Sequence, residues 1–242
     1  MPSSNNLDLL HKYGDVYIAD LEGTANINVK YSSLKIESVG DDSGITIAHG
    51  NGSLVTGKDI NMNVSYGDFY VKELRDAEIN SKYATLELNK AEEVKCNTMY
   101  DNYRIERVAN FKNIGKYDNI RIKDVNNVSV NSKYTQLAIE SVNKEITLNF
   151  QHGKANCTIS EQCKAISLLG NYADFAMTIS PGLSTAVEVM ANYANINYPN
   201  EMNVSYEKRQ KNTHEIKGNI GSNPASKLSA TLDYGKLKIY YR

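Results

Sequence analysis

The sequence is short of several things. It has no Trp, 4 Pro and 3 Cys in 242 residues. The cysteines, Cys96, Cys157 and Cys163, form no Cys-x-x-Cys pair, which argues against a zinc or redox site. Each reads as a small buried hydrophobe. Cys157 and Cys163 could also pair in an oxidising compartment. Net charge is missing too. The 27 Lys+Arg and 28 Asp+Glu leave a formal −1. That balance excludes a general binder of nucleic acid or acidic membranes, which needs a basic excess. No run of 18 apolar residues occurs, so no transmembrane segment is expected. Met1 to Asn6 is polar and lacks an apolar leader core, so no signal peptide is visible in this chain.

What the sequence does hold is unusual in kind. It has 17 Tyr and 29 Asn. Hydrophobic residues make up 41%, enough for a packed core and too many for a disordered chain. Five Asn-x-Ser/Thr sequons, at Asn51, Asn63, Asn127, Asn156 and Asn203, are what chance gives in so Asn-rich a chain.

The tyrosines are periodic. Tyr followed by a small or turn-forming residue recurs at Tyr13, Tyr31, Tyr66, Tyr83, Tyr100, Tyr117, Tyr134, Tyr172 and Tyr193. The four steps from Tyr66 to Tyr134 are each 17 residues. His49-Gly50 and His152-Gly153 fill the two gaps in the series. Five anchors follow a lysine: Lys12, Lys30, Lys82, Lys116 and Lys133.

Apolar residues keep the same beat. Three after the anchor stand Leu34, Phe69, Leu86, Tyr103, Ile120 and Leu137; five after it stand Ile36, Val71, Leu88, Ile105, Ile122 and Ile139. These alternate with polar residues, the period of a strand. A third row stands eight after the anchor, as at Leu74, Ala91 and Val108. A second alternating pair follows, as in Ile45/Ile47, Ile60/Met62 and Val94/Cys96. Each unit is strand, corner, strand, corner, with Asn and Asp at corners such as 124–127.

A unit of about 17 residues cannot bury a core alone, whereas stacked units turn apolar rows into continuous stripes. The predicted fold is therefore all-β, a single-stranded parallel β-helix with rungs of about 17–21 residues. A meander of hairpins is the rival, but its strands would run antiparallel. One domain spans 1–242, with residues 1–12 as an N-terminal cap and 13–198 as regular rungs. Residues 199–242 form an irregular loop, around 207–227, and a C-terminal capping rung at Tyr234-Gly235.

The anchor row admits two readings. In one, the rings stack along a corner and seal it under lysine stems. In the other, Tyr66, Tyr83, Tyr100, Tyr117 and Tyr134 form an exposed ladder that binds polysaccharide. His49 and His152 hold the ring slot and lack a second ligand at useful spacing, so no metal is expected. Outer charges alternate in sign along Lys72, Glu106, Lys123 and Glu140, which avoids like-charge ladders.

The runs Lys82-Tyr83-Ala84-Thr85-Leu86-Glu87-Leu88 and Lys133-Tyr134-Thr135-Gln136-Leu137-Ala138-Ile139 resemble bacterial adhesins built from β-strand repeats. The auto-transporter adhesin-head proteins of gut anaerobes are the type. The resemblance covers about residues 12–198 and implies a parallel β-helix exported to the cell envelope or secreted. Its members usually begin with a leader, which this chain lacks. It supplies no catalytic residues and no cofactor, and its expected partner is a polysaccharide or a cell-surface protein.

A second family shares the architecture. Polygalacturonases use Asn-Thr-Asp, Asp-Asp, Gly-His-Gly and Arg-Ile-Lys. Asp41-Asp42, Ala48-His49-Gly50 and Arg121-Ile122-Lys123 look similar and come in that order. One carboxylic acid would protonate the glycosidic oxygen while another activated water, some 6.5–9.5 Å away. His49 would support the pair, and Arg121 with Lys123 would hold a uronate carboxylate. The Asn-Thr-Asp motif is absent, however. Arg121-Ile122-Lys123 also repeats the pattern of Arg104-Ile105-Glu106 one rung earlier. The sequence thus favours a non-enzymatic adhesin-like protein, with a pectinase-like hydrolase as the alternative.

Overall fold

The computed structural model describes residues 3–242. Two compact units make up the chain, Met1–Ile114 with Asp118–Ile120, and Gly115–Tyr117 with Arg121–Arg242. Both are built from strands, and no described residue is helical. The fold is a parallel β-solenoid, as the repeat requires.

In the first unit the strands are β1 (Leu7–Asp20), β2 (Ala25–Ser38), β3 (Ser43–Ala48), β4 (Asn51–Met99) and β5 (Asn102–Lys116), stacked in sequence order. Leu7 pairs with Ala25, Asn26 with Gly44, and Ser43 with Ile60, so like positions of successive turns lie in register. β4 runs 49 residues without a break because three turns of the coil stay in ladder through their corners. Each turn has two arms that face each other across the core. A Cβ on Gly52 would meet Phe69 from one arm and Ile47 from the other.

The expected apolar rows all point inward. Leu34, Ile36, Leu74, Ile45 and Ile47 are almost wholly buried, as are their equivalents in later turns. Burying such side chains stabilises the stack by about 1.5–3 kcal/mol each before chain entropy is counted. Exposed ion pairs link neighbouring turns on the outside, such as Lys90–Glu73 at 2.5 Å and Arg104–Glu87 at 2.7 Å.

The second unit holds β6 (Asn119–Lys133), β7 (Gln136–Gln151), β8 (Lys154–Ile159), β9 (Ala165–Ile179), β10 (Thr185–Asn197), β11 (Met202–Gln210), β12 (Thr213–Ile220) and β13 (Ser226–Tyr241). Here the order departs from the sequence, running β7-β8-β9-β13-β10-β12-β11. The C-terminal strand is not a capping rung. β13 lies parallel between β9 and β10, with Leu228 opposite Ile166 on one side and Val187 on the other. Its inward Leu228, Leu232 and Leu237 are each 0% exposed. Every rung carries the same pattern, so the pattern puts β13 in the stack without saying where.

The stretch expected as a loop is a hairpin. β11 and β12 pair antiparallel, and β12 pairs antiparallel with β10. The turn lies at Lys211, which has φ +49°. Residues 205–210 are polar because they are exposed on both faces, and that removed the alternation by which a strand is read. At the other end, residues 7–12 are no separate cap: they are the first arm of β1. Cys157 and Cys163 are free and buried.

Candidate functional site

The anchor rings mark one corner of every turn. Twelve residues there, ten Tyr with His49 and His152, have φ between 50° and 66°. Left-handed backbone costs a side-chain-bearing residue about 1–2 kcal/mol, and bulky residues seldom adopt it. Something must offset that strain at every turn, and the geometry shows what does. In the first unit Tyr13, Tyr31, His49, Tyr66, Tyr83 and Tyr100 stack with centroids 4.8–5.4 Å apart and planes within 15°. In the second, Tyr117, Tyr134, His152, Tyr172, Tyr234 and Tyr193 stack at 4.6–5.0 Å. Aromatic pairs add about 0.5–1.5 kcal/mol beyond area burial, comparable with the backbone strain.

The rings point outward. Tyr66, Tyr83, Tyr100, Tyr117 and Tyr134 are each 43–49% exposed, with about half of each residue covered. Most ring faces are covered by neighbouring rings, which leaves ring edges and hydroxyls toward solvent. Lys12 Nζ lies 4.8 Å from the Tyr13 centroid, and Lys82 Nζ 5.8 Å from that of Tyr66. In each unit the corner therefore offers a row of phenol hydroxyls with one imidazole at the spacing of the turns, and in the first unit ammonium groups lie over the rings.

The candidates for hydrolysis are dispersed. Asp41 and Asp42 sit at the start of β3 and His49 just past its end, about 20 Å of extended chain away. Asp41 pairs with Lys58 at 3.7 Å. His49 is stacked between Tyr31 and Tyr66. Arg121 and Lys123 are exposed residues of β6 and flank the buried Ile122. Asp42 does join Asp59, Asp76, Glu78, Glu93 and Lys95 around a surface cavity of about 390 Å³. Arg75 bonds Asp59 at 2.5 Å and Asp76 at 3.4 Å, and its hydrogen bond holds the Asp59 carboxyl below the usual range.

A second polar group lies inside the first unit. Asp101, 3% exposed, accepts from Ser81 Oγ at 2.7 Å and from the N–H groups of Ala84 at 2.8 Å and Met99 at 3.0 Å. Burial raises the Asp101 pKa against the pull of those donors. Asp118 accepts from Thr98 Oγ1 at 2.7 Å and from the Asp101 N–H at 3.0 Å. Sequence reasoning passed over this group. Its signal was an Asp after the ring at Tyr100 and Tyr117, where most other turns carry Gly, Ala or Ser. It satisfies its own donors and is closed to solvent, so its role is internal.

The thiols are poor nucleophiles. Burial pushes Cys96 and Cys157 up to about 12 and Cys163 up to about 11. Among the described residues no group of three or more His, Cys, Asp or Glu could hold a metal ion. No described helix is long and apolar enough to cross a membrane.

The protein is thus a parallel β-solenoid with a stacked aromatic ladder on each unit. No family model, curated protein or solved structure matches the chain.

Proposed function

We propose that this is a non-enzymatic, adhesin-like β-solenoid of the cell envelope or extracellular space that binds polysaccharide along its aromatic corner. The observation that carries the reading is the ladder in each unit: rings stacked in strained backbone and still 43–49% exposed, Tyr66, Tyr83 and Tyr100 in the first and Tyr117 and Tyr134 in the second. A purely structural corner could use Gly or Asn at that φ without strain. The ligand would meet ring edges, hydroxyls and flanking lysines, so hydrogen bonds dominate over sugar-on-ring stacking. Acidic polysaccharides suit the ammonium groups. The pectinase-like reading has less support, because Asp42 and His49 stand a full strand apart.

A glycan array that includes uronate polymers tests this, with Tyr83→Ala and Tyr117→Ala beside the wild type. Each variant is expected to weaken binding about fivefold, the worth of one or two lost contacts. No binding by the wild type would leave the ladder purely structural. Reducing ends released from polygalacturonate, and lost in Asp42→Asn, would restore the hydrolase.

A further inference from the structure

The two units end on very different edge strands. β11, the outer strand of the second unit, carries the exposed run Glu207-Lys208-Arg209 and a register shift between Val204 and Tyr206. Charges and bulges are the devices that keep edge strands from pairing with other chains. β1, the outer strand of the first unit, has neither a bulge nor a run of charge. Its register with β2 keeps one offset on both arms, with no shift. Its inward Leu7, Leu9, Val16 and Ile18 are only half-buried, whereas their β2 equivalents Ala25, Ile27, Leu34 and Ile36 are buried. Its outward Leu10 and Tyr17 are 81% and 62% exposed.

We infer that β1 is a dimer interface, and that its occupant is β1 of a second copy of this chain. A two-fold axis makes two identical edge strands antiparallel, and the pairing must then be self-complementary. Centred on Leu10, it sets Leu10 against Leu10 and Leu9 against His11. It also sets Asp8 against Lys12 twice over. The outward charges of this arm are thus matched, and its exposed leucine is covered by its own copy.

The second arm obeys the same axis. Leu10 stands three residues before Tyr13, and Tyr17 stands three after Gly14. An axis through the two facing arms at Leu10 therefore emerges at Tyr17. There Tyr17 meets Tyr17 and Val16 meets Ile18. The chain already shows that a parallel stack accepts an antiparallel neighbour, since β12 ends the β10 edge in that way. Heterologous stacking of β1 on β11 would instead set an apolar strand against the charged run.

Sedimentation equilibrium of the full chain tests the inference. The expected species has twice the 27.0 kDa mass. Lys12→Asp places like charges together at two sites and should raise the dissociation constant about tenfold or more. Asp8→Lys should do the same, and the double variant Asp8→Lys/Lys12→Asp should restore the dimer. Circular dichroism of each variant checks that β1 still folds, and Tyr17→Lys offers a second break away from the first arm. A wild type that stays monomeric at high concentration, or forms open-ended polymers, would overturn the proposal. So would a charge swap that fails to restore association while the fold is intact.

Discussion

The outer turns of the two units teach different lessons about what closes a solenoid. The first unit starts with β1 laid flat on β2, in sequence order, with its inward side chains half-open. The second unit ends on a hairpin, behind a strand borrowed from later in the chain. β10 there has β13 on one side and β12 on the other. Glu188 ties the three together, with Lys217 at 2.5 Å and Lys227 at 3.1 Å. Regular stacking is enough to build a core, but this end is finished by a hairpin, an antiparallel strand against the stack and an outer strand exposed on both faces over 205–210.

Matched substitutions sharpen that contrast, and the largest effect falls on the inserted strand. Leu232→Ala removes a side chain sealed on all sides and should cost about 3 kcal/mol in chemical denaturation. Leu9→Ala, half-open on β1 of a single chain, should cost about 1 kcal/mol at concentrations low enough to keep the chain monomeric. Equal losses would mean that β1 is as closed as β13 in solution.

The ring ladder gives a smaller pair. Tyr234 is stacked on both faces, by Tyr172 and Tyr193, whereas among described residues Tyr13 stacks only on Tyr31. Tyr234→Ala should cost about 1–2 kcal/mol and Tyr13→Ala about half of that. Tyr234→Gly should be milder than Tyr234→Ala, because glycine removes the left-handed strain along with the ring. If Gly and Ala behave alike in thermal melts, strain at the corner is not being offset by stacking.

The smallest effect belongs to the clamp at Glu188. Its two lysines hold the carboxyl below the usual range, through the Lys217 hydrogen bond first and the Lys227 one next. The folded state therefore binds this proton less readily than the unfolded chain. The clamp's contribution is present above the unfolded pKa near 4.5 and fades as pH falls through the lower folded value. Asp101 runs the other way. Its raised folded pKa adds stability on the acid side, which is lost as pH climbs from the unfolded value near 3.8 through the folded one. Melting curves from pH 3 to 7 should show Glu188→Gln flattening one slope and Asp101→Asn the other. High salt should mask only the first, since Glu188 is exposed.

Much of this was written in the spacing. The 17-residue beat, the inward rows from Leu34 to Ile139 and the outer charge pairs follow directly from residues that recur. The ring slot was legible as a position. Its left-handed backbone was not, because Tyr is a poor choice for that conformation and only the stack across turns makes it tolerable. The place of β13 was hidden for a deeper reason. Leu228, Ala230, Leu232, Tyr234 and Leu237 obey the common pattern, and a pattern shared by all rungs carries no address. The ladder's direction was equally silent, because a tyrosine is at home both in a core and at a wet corner.

The late strand has a consequence for how the molecule is made. β13 is made after β10, β11 and β12, yet its place is beside β9, deep in the order of the second unit. A nascent chain that adds turns as they emerge reaches β9 and has no correct next neighbour in hand. If β10 docks there first, it must let go again when β13 arrives. The final arrangement can be reached only once β13 has been made, so the order β9-β13-β10 is fixed by a later strand and not by the order of synthesis.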